Sequence, residues 1–340
     1  MFPKLFIGPM SKNVVDTAIE MATQGWNLGF IPSRRQVDKD RGYVNNWSTK
    51  EFVSYVRDRT DKIPIQRDHA GPGQGKEEDN GLTSLLEDGL NDLDLIHIDP
   101  WKAYPKIDNA VINTNIMIEY YCGKNKTSLF EVGTEEGIKK YSASELDLFL
   151  EKLKKFVDPK KFSRIKFAVI QSGVGLLGVK NTGTFDEQRC KDMINVCKKY
   201  DLLTKEHNGD YLKKETIKRR FELGLDSINI APELGVEETR CVLHKIEEEG
   251  REDLFERFFK ACYLSKFWVK WLPDGFYPEE DKEKQRLLIE VCGHYIFNTD
   301  EFRDITKELS GLQELIKLRL SDKIKRLYES CSVFDRDGRG

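Results

Sequence analysis

The sequence predicts an α/β fold, a (β/α)8 TIM barrel followed by a C-terminal helical extension. Short aliphatic or β-branched runs alternate with longer amphipathic segments up to about residue 235, which is the pattern of strands that alternate with helices. Eight such runs favour the barrel, because an open doubly wound sheet more often uses five or six strands. The runs occupy residues 5–7, 28–31, 63–66, 93–98, 128–132, 165–170, 203–205 and 227–230.

Helices are predicted between these runs, where apolar residues recur with a helical period. The segment Gly224-Leu225-Asp226 ends the last of these helices before the eighth strand. Examples of the predicted helices are residues 14–23, 49–58, 81–91, 143–156, 186–200 and 211–222.

The last hundred residues contain charged helical sequence without a convincing strand. We therefore expect two regions, a TIM barrel at residues 1–240 that carries the functional site and a helical extension at residues 241–340 that packs on the barrel. An aromatic cluster at residues 267–277 favours packing of the extension over a ligand lid. The tail at residues 335–340 is expected to fray.

Composition excludes several classes of protein. The 340 residues include 55 Lys and Arg against 58 Asp and Glu, and nucleic-acid binding needs a concentrated excess of basic residues. No apolar run reaches the ~20 residues of a membrane helix, and the N-terminal segment lacks the pattern of a secretory signal. The seven cysteines form no CxxC pair, which suits reduced packing residues. We therefore predict a cytoplasmic protein that binds neither nucleic acid nor membrane.

Polar side chains are concentrated just after the predicted strands. In barrels of this type the working groups lie at the carboxyl ends of the strands, so these residues are the candidates for a shared site. Three of the five histidines are among them, each beside or close to an acid. The candidates are Asp68 and His69 after the third strand, His97 and Asp99 at the fourth, Glu135 after the fifth, and Glu206 and His207 after the seventh.

Imidazole nitrogens and carboxylate oxygens at these positions predict a divalent metal ion. Zinc suits this ligand set best, with manganese or cobalt as alternatives. His69, Glu135 and His207 are the predicted metal ligands, and they leave a coordination position open for a substrate.

The acids beside the predicted ligands are candidates for proton transfer. Asp68 and Asp99 are expected to act as bases or to support the ligands, and Glu206 is a further catalytic candidate. Adjacent side chains of a strand point to opposite faces, so Asp68 and His69 both reach the site only if the strand has ended there. The helix-breaking segment 70–73 that follows agrees with such an ending.

Other polar positions predict contacts with the substrate. Arg34 and Arg35 offer a fork for a phosphate or carboxylate, with a solvated arginine pair as an equal alternative. Gly173 and Gly175 are placed to turn backbone N–H groups toward a phosphate, with a simple turn as the alternative. The remaining predicted substrate-binding residues are His97, Asn208 and Asp210.

These segments resemble a known family, the GatZ/KbaZ-type subunit of class II D-tagatose-1,6-bisphosphate aldolase. The family's Gly-Asp-His-Leu-Gly-Pro resembles residues 67–72, and its Glu-Ala-His-Ser-Thr-Asp-Tyr resembles residues 205–211. Its His-Leu-Asp and Gly-Thr-Glu correspond to residues 97–99 and 133–135. The matching segments keep their order over nearly the whole chain, although residues 31–35 replace a more acidic family segment.

The resemblance implies a subunit described as non-catalytic that associates with a separate catalytic subunit. Class II aldolases of this superfamily hold zinc with three histidines. His69 and His207 match two of them, and Glu135 is expected to substitute for the third.

We therefore expect a metal-dependent enzyme that acts on a phosphorylated sugar and resembles class II ketose-bisphosphate aldolases, which form and cleave a carbon–carbon bond through an enediolate. A sugar-phosphate isomerase or epimerase is an alternative, because it uses the same kind of intermediate. A second alternative is an accessory subunit that stabilises a class II tagatose-bisphosphate aldolase. The expected protein partners are such a catalytic subunit or a second copy of this chain.

Overall fold

Ten strands are present in the computed structural model of the chain, which describes residues 1–279 and 281–332. Residues 333–340, which include the tail expected to fray, lie outside the described residues. The strands are β1 (Leu5–Ile7), β2 (Leu28–Phe30), β3 (Gln66–Ala70), β4 (Leu95–Ile98), β5 (Leu129–Val132), β6 (Ile165–Ile170), β7 (Leu176–Leu177), β8 (Lys180–Asn181), β9 (Leu203–Glu206) and β10 (Ser227–Ile230).

Eight of these strands form one parallel sheet, in the order β2-β1-β10-β9-β6-β5-β4-β3. Its two outer strands are joined by parallel bridges from Phe30 to Ile65 and from Ser33 to Asp68, so the sheet curls into a barrel. The short strands β7 and β8 form a separate antiparallel hairpin between β6 and β9. The predicted (β/α)8 TIM barrel is confirmed.

Nine helices follow or connect these strands up to residue 248. They are α1 (Lys12–Thr23), α2 (Thr49–Arg57), α3 (Leu82–Leu90), α4 (Ile107–Cys122), α5 (Ala143–Phe156), α6 (Pro159–Phe162), α7 (Glu187–Lys199), α8 (Lys214–Glu222) and α9 (Pro232–Glu248). Local sequence fixes several of their starts. Ser48 and Glu51 form a reciprocal capping box at α2, and Ser142 and Glu145 form another at α5.

Four more helices follow in the C-terminal extension: α10 (Glu252–Ser265), α11 (Lys282–Cys292), α12 (Asp300–Lys307) and α13 (Leu312–Ser330). The expected helical extension is therefore present, with no strand between residue 231 and residue 332 outside Glu280. The proposed division at residue 240 falls inside α9 and stays a prediction. In the described part of the chain, no helix is long and apolar enough to cross a membrane.

The last helix, α13, contacts both the beginning and the end of the barrel sequence. Lys317 on α13 pairs with Glu20 on α1 at 2.8 Å, and Lys323 pairs with Glu233 on α9. The Tyr328 ring meets Trp26, which follows α1, edge to face at 5.0 Å between centroids. Thus α13 bridges the first and the eighth strand–helix units.

Candidate active site

The site begins with an irregularity in β3. The pairing of β3 with β4 shifts register between Arg67 and Ala70, and His69 takes a left-handed conformation with φ of 46°. Pairing resumes at Ala70, so the strand bulges here and continues. The sequence instead predicts that the strand ends at these residues. The bulge lets Asp68 and His69 face the same side, with His69 Nε2 3.7 Å from Asp68 Oδ1.

Three histidine rings surround the Asp68 carboxylate. The ring centroids of His69, His97 and His207 lie 4.8 to 5.1 Å apart. Asp68 Oδ1 is 3.8 Å from His97 Nδ1 and 3.5 Å from His207 Nδ1. One ligand atom from each of the four residues lies within 4.8 Å of the others, so together they could hold a metal ion.

Each imidazole is fixed through its other nitrogen. His69 Nδ1 lies 2.6 Å from Asp99 Oδ2, and His97 Nε2 lies 3.1 Å from the carbonyl oxygen of Gly133. His207 Nε2 lies 2.6 Å from Glu131 Oε1. Such contacts set the ring orientation and leave one nitrogen of His69 and one of His207 facing Asp68, as in many metal sites. The second nitrogen of His97, Nδ1, also accepts a hydrogen bond from the His69 backbone amide at 3.3 Å.

The carboxylates behind the histidines are themselves held in place. Asp99 accepts hydrogen bonds from the Thr134 hydroxyl at 3.0 Å and the Trp101 amide at 3.1 Å. Glu131 accepts a hydrogen bond from the Gln66 side chain at 2.7 Å and pairs with Lys205 Nζ at 3.0 Å. The supporting groups are therefore rigid, which limits the positions open to the imidazoles.

Lys205 lies in the floor of the barrel below the histidines. Its side chain has no exposed area, and its ammonium is 3.6 Å from the centroid of the Phe6 ring and 4.5 Å from that of Phe167. Burial lowers the pKa of Lys205, although the Glu131 carboxylate opposes the shift. For Glu131, burial disfavours ionisation, but Lys205 and the neighbouring imidazoles lower its pKa well below the usual range.

The electrostatics of the cluster favour a cation. Asp68 Oδ1 is buried and has no hydrogen-bond partner among the described residues. Burial disfavours its ionisation, but the imidazoles, His69 foremost, lower the pKa of Asp68. Conversely, burial disfavours the charged form of His69, but Asp68 and Glu135 raise its pKa. A metal ion held by the imidazoles would balance the charge of this neighbouring carboxylate without protonation of the rings.

Glu135 and Asn208 lie beside the four-residue group. Glu135 Oε2 is 3.4 Å from His69 Nε2 and 4.0 Å from His207 Nδ1. The Asn208 side-chain amide donates to the same Glu135 oxygen at 2.8 Å. Two more of the residues singled out in the sequence are therefore brought to the cluster.

The structure directs Glu206 away from the cluster. Alternation along β9 turns Lys205 and His207 into the barrel and Glu206 out of it. There the Glu206 carboxylate accepts hydrogen bonds from Arg220 Nε at 2.6 Å and from the Ser172 amide at 2.6 Å. The suggested catalytic role for Glu206 has no geometric support, because its carboxylate is part of an ion pair between strand and helix.

Arg34 is also used elsewhere. Its guanidinium donates to Asp38 Oδ2 at 3.0 Å, to Asp79 Oδ1 at 2.8 Å and to the Gly71 carbonyl oxygen at 3.2 Å. These contacts tie the loop after β2 to the loop after β3. Arg35 does not share them and is exposed.

Other predicted substrate contacts have local structural roles. Asp210 accepts hydrogen bonds from the Ala231 and Glu233 amides at the start of α9, and burial together with Glu233 raises the pKa of Asp210 to about 8. The Gly175 amide donates to Asn181 Oδ1 at 3.2 Å. Gly173 has φ of 92°, and a Cβ there would lie 1.8 Å from the Thr184 carbonyl oxygen, which explains the glycine without a phosphate.

Sequence reasoning missed the groups that support the histidines, namely Gln66, Glu131, Thr134 and Lys205. A usable signal was present, because Lys205 and His207 are two residues apart, as are Gln66 and Asp68. A period of two places both members of each pair on one face of a strand. A charged or amide side chain two residues before a site residue is therefore a candidate for the barrel interior.

Neither a protein-family model nor a curated protein matches the sequence. Solved structures do match the fold. A probable tagatose 6 phosphate kinase from Sinorhizobium meliloti 1021 superposes with a TM-score of 0.78 at 15% identity, covering 97% of this chain and 100% of the other. Fructuronate-tagaturonate epimerase UxaE from Cohnella laeviribosi has a TM-score of 0.65 at 10% identity, with 97% and 81% covered.

A fructose-bisphosphate aldolase from Campylobacter jejuni matches as well, with a TM-score of 0.58 at 11% identity over 96% of this chain and 89% of its own. At these identities the likeness shows a shared fold. The fold covers barrel and extension alike, since nearly the whole chain is superposed in each case.

Proposed function

We propose that the protein is a divalent-metal-dependent enzyme that cleaves or forms a carbon–carbon bond in a phosphorylated sugar, through an enediolate intermediate. The observation that carries this proposal is the buried Asp68 oxygen, which lies among three imidazoles and has no hydrogen bond from the described residues. Each imidazole is oriented from behind, so the arrangement has the features of a prepared ligand set.

In this proposal His69, His97 and His207 hold the metal ion, and Glu135 lies next to them as an additional ligand or a substrate contact. His97, placed among the substrate-binding residues by its position, thereby supplies the third imidazole expected of class II aldolases. Zinc remains our first expectation, with manganese or cobalt as alternatives. When bound, such an ion stabilises negative charge that develops on a substrate oxygen.

The chain's own groups provide the proton chemistry and the positioning. Asp68 has a free carboxylate oxygen at the centre of the cluster, so it is our candidate for taking a proton from the substrate carbon or hydroxyl. Asn208 and Glu135, joined at 2.8 Å at the edge of the cluster, offer a donor and an acceptor to substrate hydroxyls. Asp99 and Glu131 act through the histidines as positioning residues.

The proposal has support from a shared fold and from a resemblance of sequence motifs. Proteins named fructose-bisphosphate aldolase share the barrel and extension, and the sequence motifs resemble the tagatose-bisphosphate aldolase subunit family. An epimerase on a sugar acid shares the fold with the higher TM-score of 0.65. Sugar epimerisation or isomerisation therefore stays as our second candidate, since it also begins with proton removal beside a carbonyl.

The accessory-subunit alternative predicts no need for a prepared site. The rigid support of all three imidazoles therefore favours an enzyme, because a scaffold gains nothing from a buried carboxylate without a partner.

The decisive experiment combines metal analysis with an activity screen of the purified chain alone. We expect about one equivalent of bound metal, and turnover of a ketose bisphosphate with zinc, manganese or cobalt. Cleavage products indicate an aldolase, whereas an epimeric or isomeric sugar indicates the second candidate. Activity that requires an added aldolase catalytic subunit would establish the accessory role.

The Asp68→Asn variant tests the proton-transfer role. It should keep the metal ion and lose turnover by ~10²-fold or more, as expected for a general acid or base. Asp61→Asn, at an exposed position outside the site, is the matched control and should behave as the wild type. Full turnover by Asp68→Asn would transfer the role to another group, with Asp99 next to test.

A further inference from the structure

A second cavity lies between the barrel and the extension. Its volume is about 620 Å³, which is within the range of small-molecule sites. The loops after β2 and β3 form one wall, and residues of the extension between α10 and α12 form the other. None of the cluster residues around Asp68 lines it. The lining side chains used below are Arg35, Tyr43, Lys76, Lys266, Phe267, Lys270 and Tyr295.

The cavity concentrates positive charge in a chain that is acidic overall. Four of its lining residues are cationic, namely Arg35, Lys76, Lys266 and Lys270, and none of the lining residues is an acid. None of the four cations forms an ion pair with a carboxylate in residues 1–279 and 281–332. The adjacent Arg34, by contrast, pairs with Asp38 and Asp79. The nearby Glu279 carboxylate lies outside the lining, although the charge of Lys266 contributes to lowering its pKa. Like charges gathered around one cavity repel one another, so the cavity is suited to an anion.

The charged form of Lys270 is disfavoured by its position in this group of cations. Its ammonium lies 4.5 Å from the centroid of the Trp271 ring and 4.9 Å from that of Tyr295, so its nearest described partners are aromatic faces and not carboxylates. Loss of hydration lowers the pKa of Lys270 to about 8, and the charge of Arg35 adds to the effect. An anion placed beside the two cations relieves both causes.

Aromatic side chains provide a second kind of surface. Phe267 stacks on Tyr295 with centroids 4.7 Å apart, and Tyr43 meets Tyr295 edge to face at 4.6 Å. Phe267 keeps 45% of its surface exposed. A ligand in the cavity therefore meets cationic groups and an exposed ring together, which favours an organic anion over a free inorganic ion.

We propose that this cavity is a second ligand site, which binds a small organic molecule carrying two phosphate groups. Each phosphate monoester has roughly 1.5 to 2 negative charges at neutral pH, so two of them balance the four cations. Arginine can bind a phosphate in a bidentate manner, and the lysines add point charges. A sugar bisphosphate and a nucleoside diphosphate share this chemistry. This proposal does not rest on the proposed metal chemistry, because none of the cluster residues lines the cavity.

Isothermal titration calorimetry on the metal-free full chain tests the proposal, with inorganic pyrophosphate as the first probe at low ionic strength. We expect the Arg35→Gln/Lys270→Gln variant to weaken pyrophosphate binding at least tenfold. The control variant Lys160→Gln/Arg319→Gln alters two exposed cations elsewhere and should change the dissociation constant less than twofold. Equal binding by wild type and Arg35→Gln/Lys270→Gln, or no binding by wild type, would overturn the proposal.

A third variant separates this site from the histidine cluster. His207→Ala should bind pyrophosphate as the wild type does, whether or not the enzyme proposal is correct. Loss of pyrophosphate binding in His207→Ala would place the anion at the cluster and refute the second site.

Organic probes identify the rest of the ligand. Fructose 1,6-bisphosphate and ADP are titrated in parallel. The probe with the lower dissociation constant indicates whether the ligand is a sugar bisphosphate or a nucleoside diphosphate. Phe267→Ala should weaken that organic probe at least threefold and leave pyrophosphate binding unchanged, because pyrophosphate offers no group to the ring. If Phe267→Ala changes neither, the organic part of the proposal is wrong.

Discussion

The inner and outer faces of the same barrel strands carry buried charges that are arranged in opposite ways. On the outer face, Arg67 of β3 donates from all of its N–H groups, to Asp88 at 2.6 to 3.0 Å, to two backbone carbonyls and to the Thr49 hydroxyl. On the inner face, the next residue, Asp68, has a buried oxygen that accepts no hydrogen bond from any described residue.

The contrast assigns different roles to two neighbouring residues: Arg67 stabilises the fold, and Asp68 belongs to the proposed site. A buried ion pair whose donors are all bonded holds a strand to its helix, and breaking it leaves a buried charge. A buried charge that stays unbonded is costly and is retained where a ligand satisfies it. On β9 the directions are the same, since Glu206 pairs outward with Arg220 and His207 faces inward, but Arg220 Nη2 is buried without a hydrogen bond in the described part of the chain.

The largest expected effect is on the inner face. His69→Ala and His207→Ala should each lower metal affinity by more than ~10²-fold, because a lost ligand is worse than a lost supporting contact. Metal content after gel filtration measures this, and the melting temperature of the metal-free chain should stay within a few degrees of wild type. His244→Ala, at an exposed histidine, is the control. Undiminished metal in both site variants would remove these residues from the ligand set.

On the outer face, Arg67→Met should act on stability and not on metal. The substitution leaves Asp88 buried without its cation, which costs about 3–5 kcal/mol of unfolding free energy. Denaturant titration measures the loss, and the metal bound per folded molecule should match wild type. Arg319→Met, at an exposed arginine that forms no ion pair with the residues that the structure describes, should change stability by less than about 0.5 kcal/mol. If Arg67→Met lost metal but kept full stability, the outer-face residue Arg67 would serve the metal site, and the assignment of the two faces would be wrong.

A smaller effect is expected for Asp99→Asn, because Asp99 supports a proposed metal ligand and is not itself one. Asp99 holds His69 from behind at 2.6 Å, so the variant should weaken metal affinity by about 10- to 100-fold. Added metal at high concentration should then restore most of the turnover. If turnover stays low at saturating metal, Asp99 acts in proton transfer and not only in positioning.

The last effect is confined to the pH dependence of stability and concerns Glu238, a buried acid that forms no ion pair with the described residues. Glu238 on α9 accepts hydrogen bonds from the Ser11 hydroxyl and the Asn13 amide, and burial raises its pKa to about 7. The folded chain therefore holds a proton that the unfolded chain has released above its ordinary pKa of 4.5. Its contribution to stability is full below that value and declines as the pH rises toward 7.

Glu238→Gln should remove this decline, which the rise from 4.5 to about 7 limits to about 3 kcal/mol, and so raise stability at pH 8 relative to wild type. Chemical denaturation at pH 5 and pH 8 gives the comparison. Parallel pH dependence in the two proteins would show that burial does not perturb this carboxyl.

The sequence supports the barrel more firmly than the site. Seven of the predicted runs overlap the barrel strands closely, because buried strands read as short apolar runs. The third run, 63–66, precedes most of β3, since this strand continues through the polar residues Arg67, Asp68 and His69. Polar residues inside a strand carry no apolar period, so pattern alone places the strand too early.

For the site, adjacency in sequence selected several residues that the structure brings into one cluster, but it did not predict their geometry. Asp68 and His69 were expected to share a site beyond the end of a strand, whereas a bulge within the strand brings them together. Glu206 was grouped with His207 because they are neighbours, although a period of two separates them. Contacts such as Lys205 with Glu131 join strands far apart in the sequence, and no local pattern reveals them.

The position of α13 has a consequence for how the chain folds. It fastens the first strand–helix unit to the eighth through partners that lie some 300 residues apart in the sequence, such as Glu20 and Lys317. Closing so long a loop is entropically expensive and slow, so the seam between β1 and β10 should be the last part of the molecule to gain protection from hydrogen exchange during refolding. The same seam should then be the first to open when the native protein is stressed.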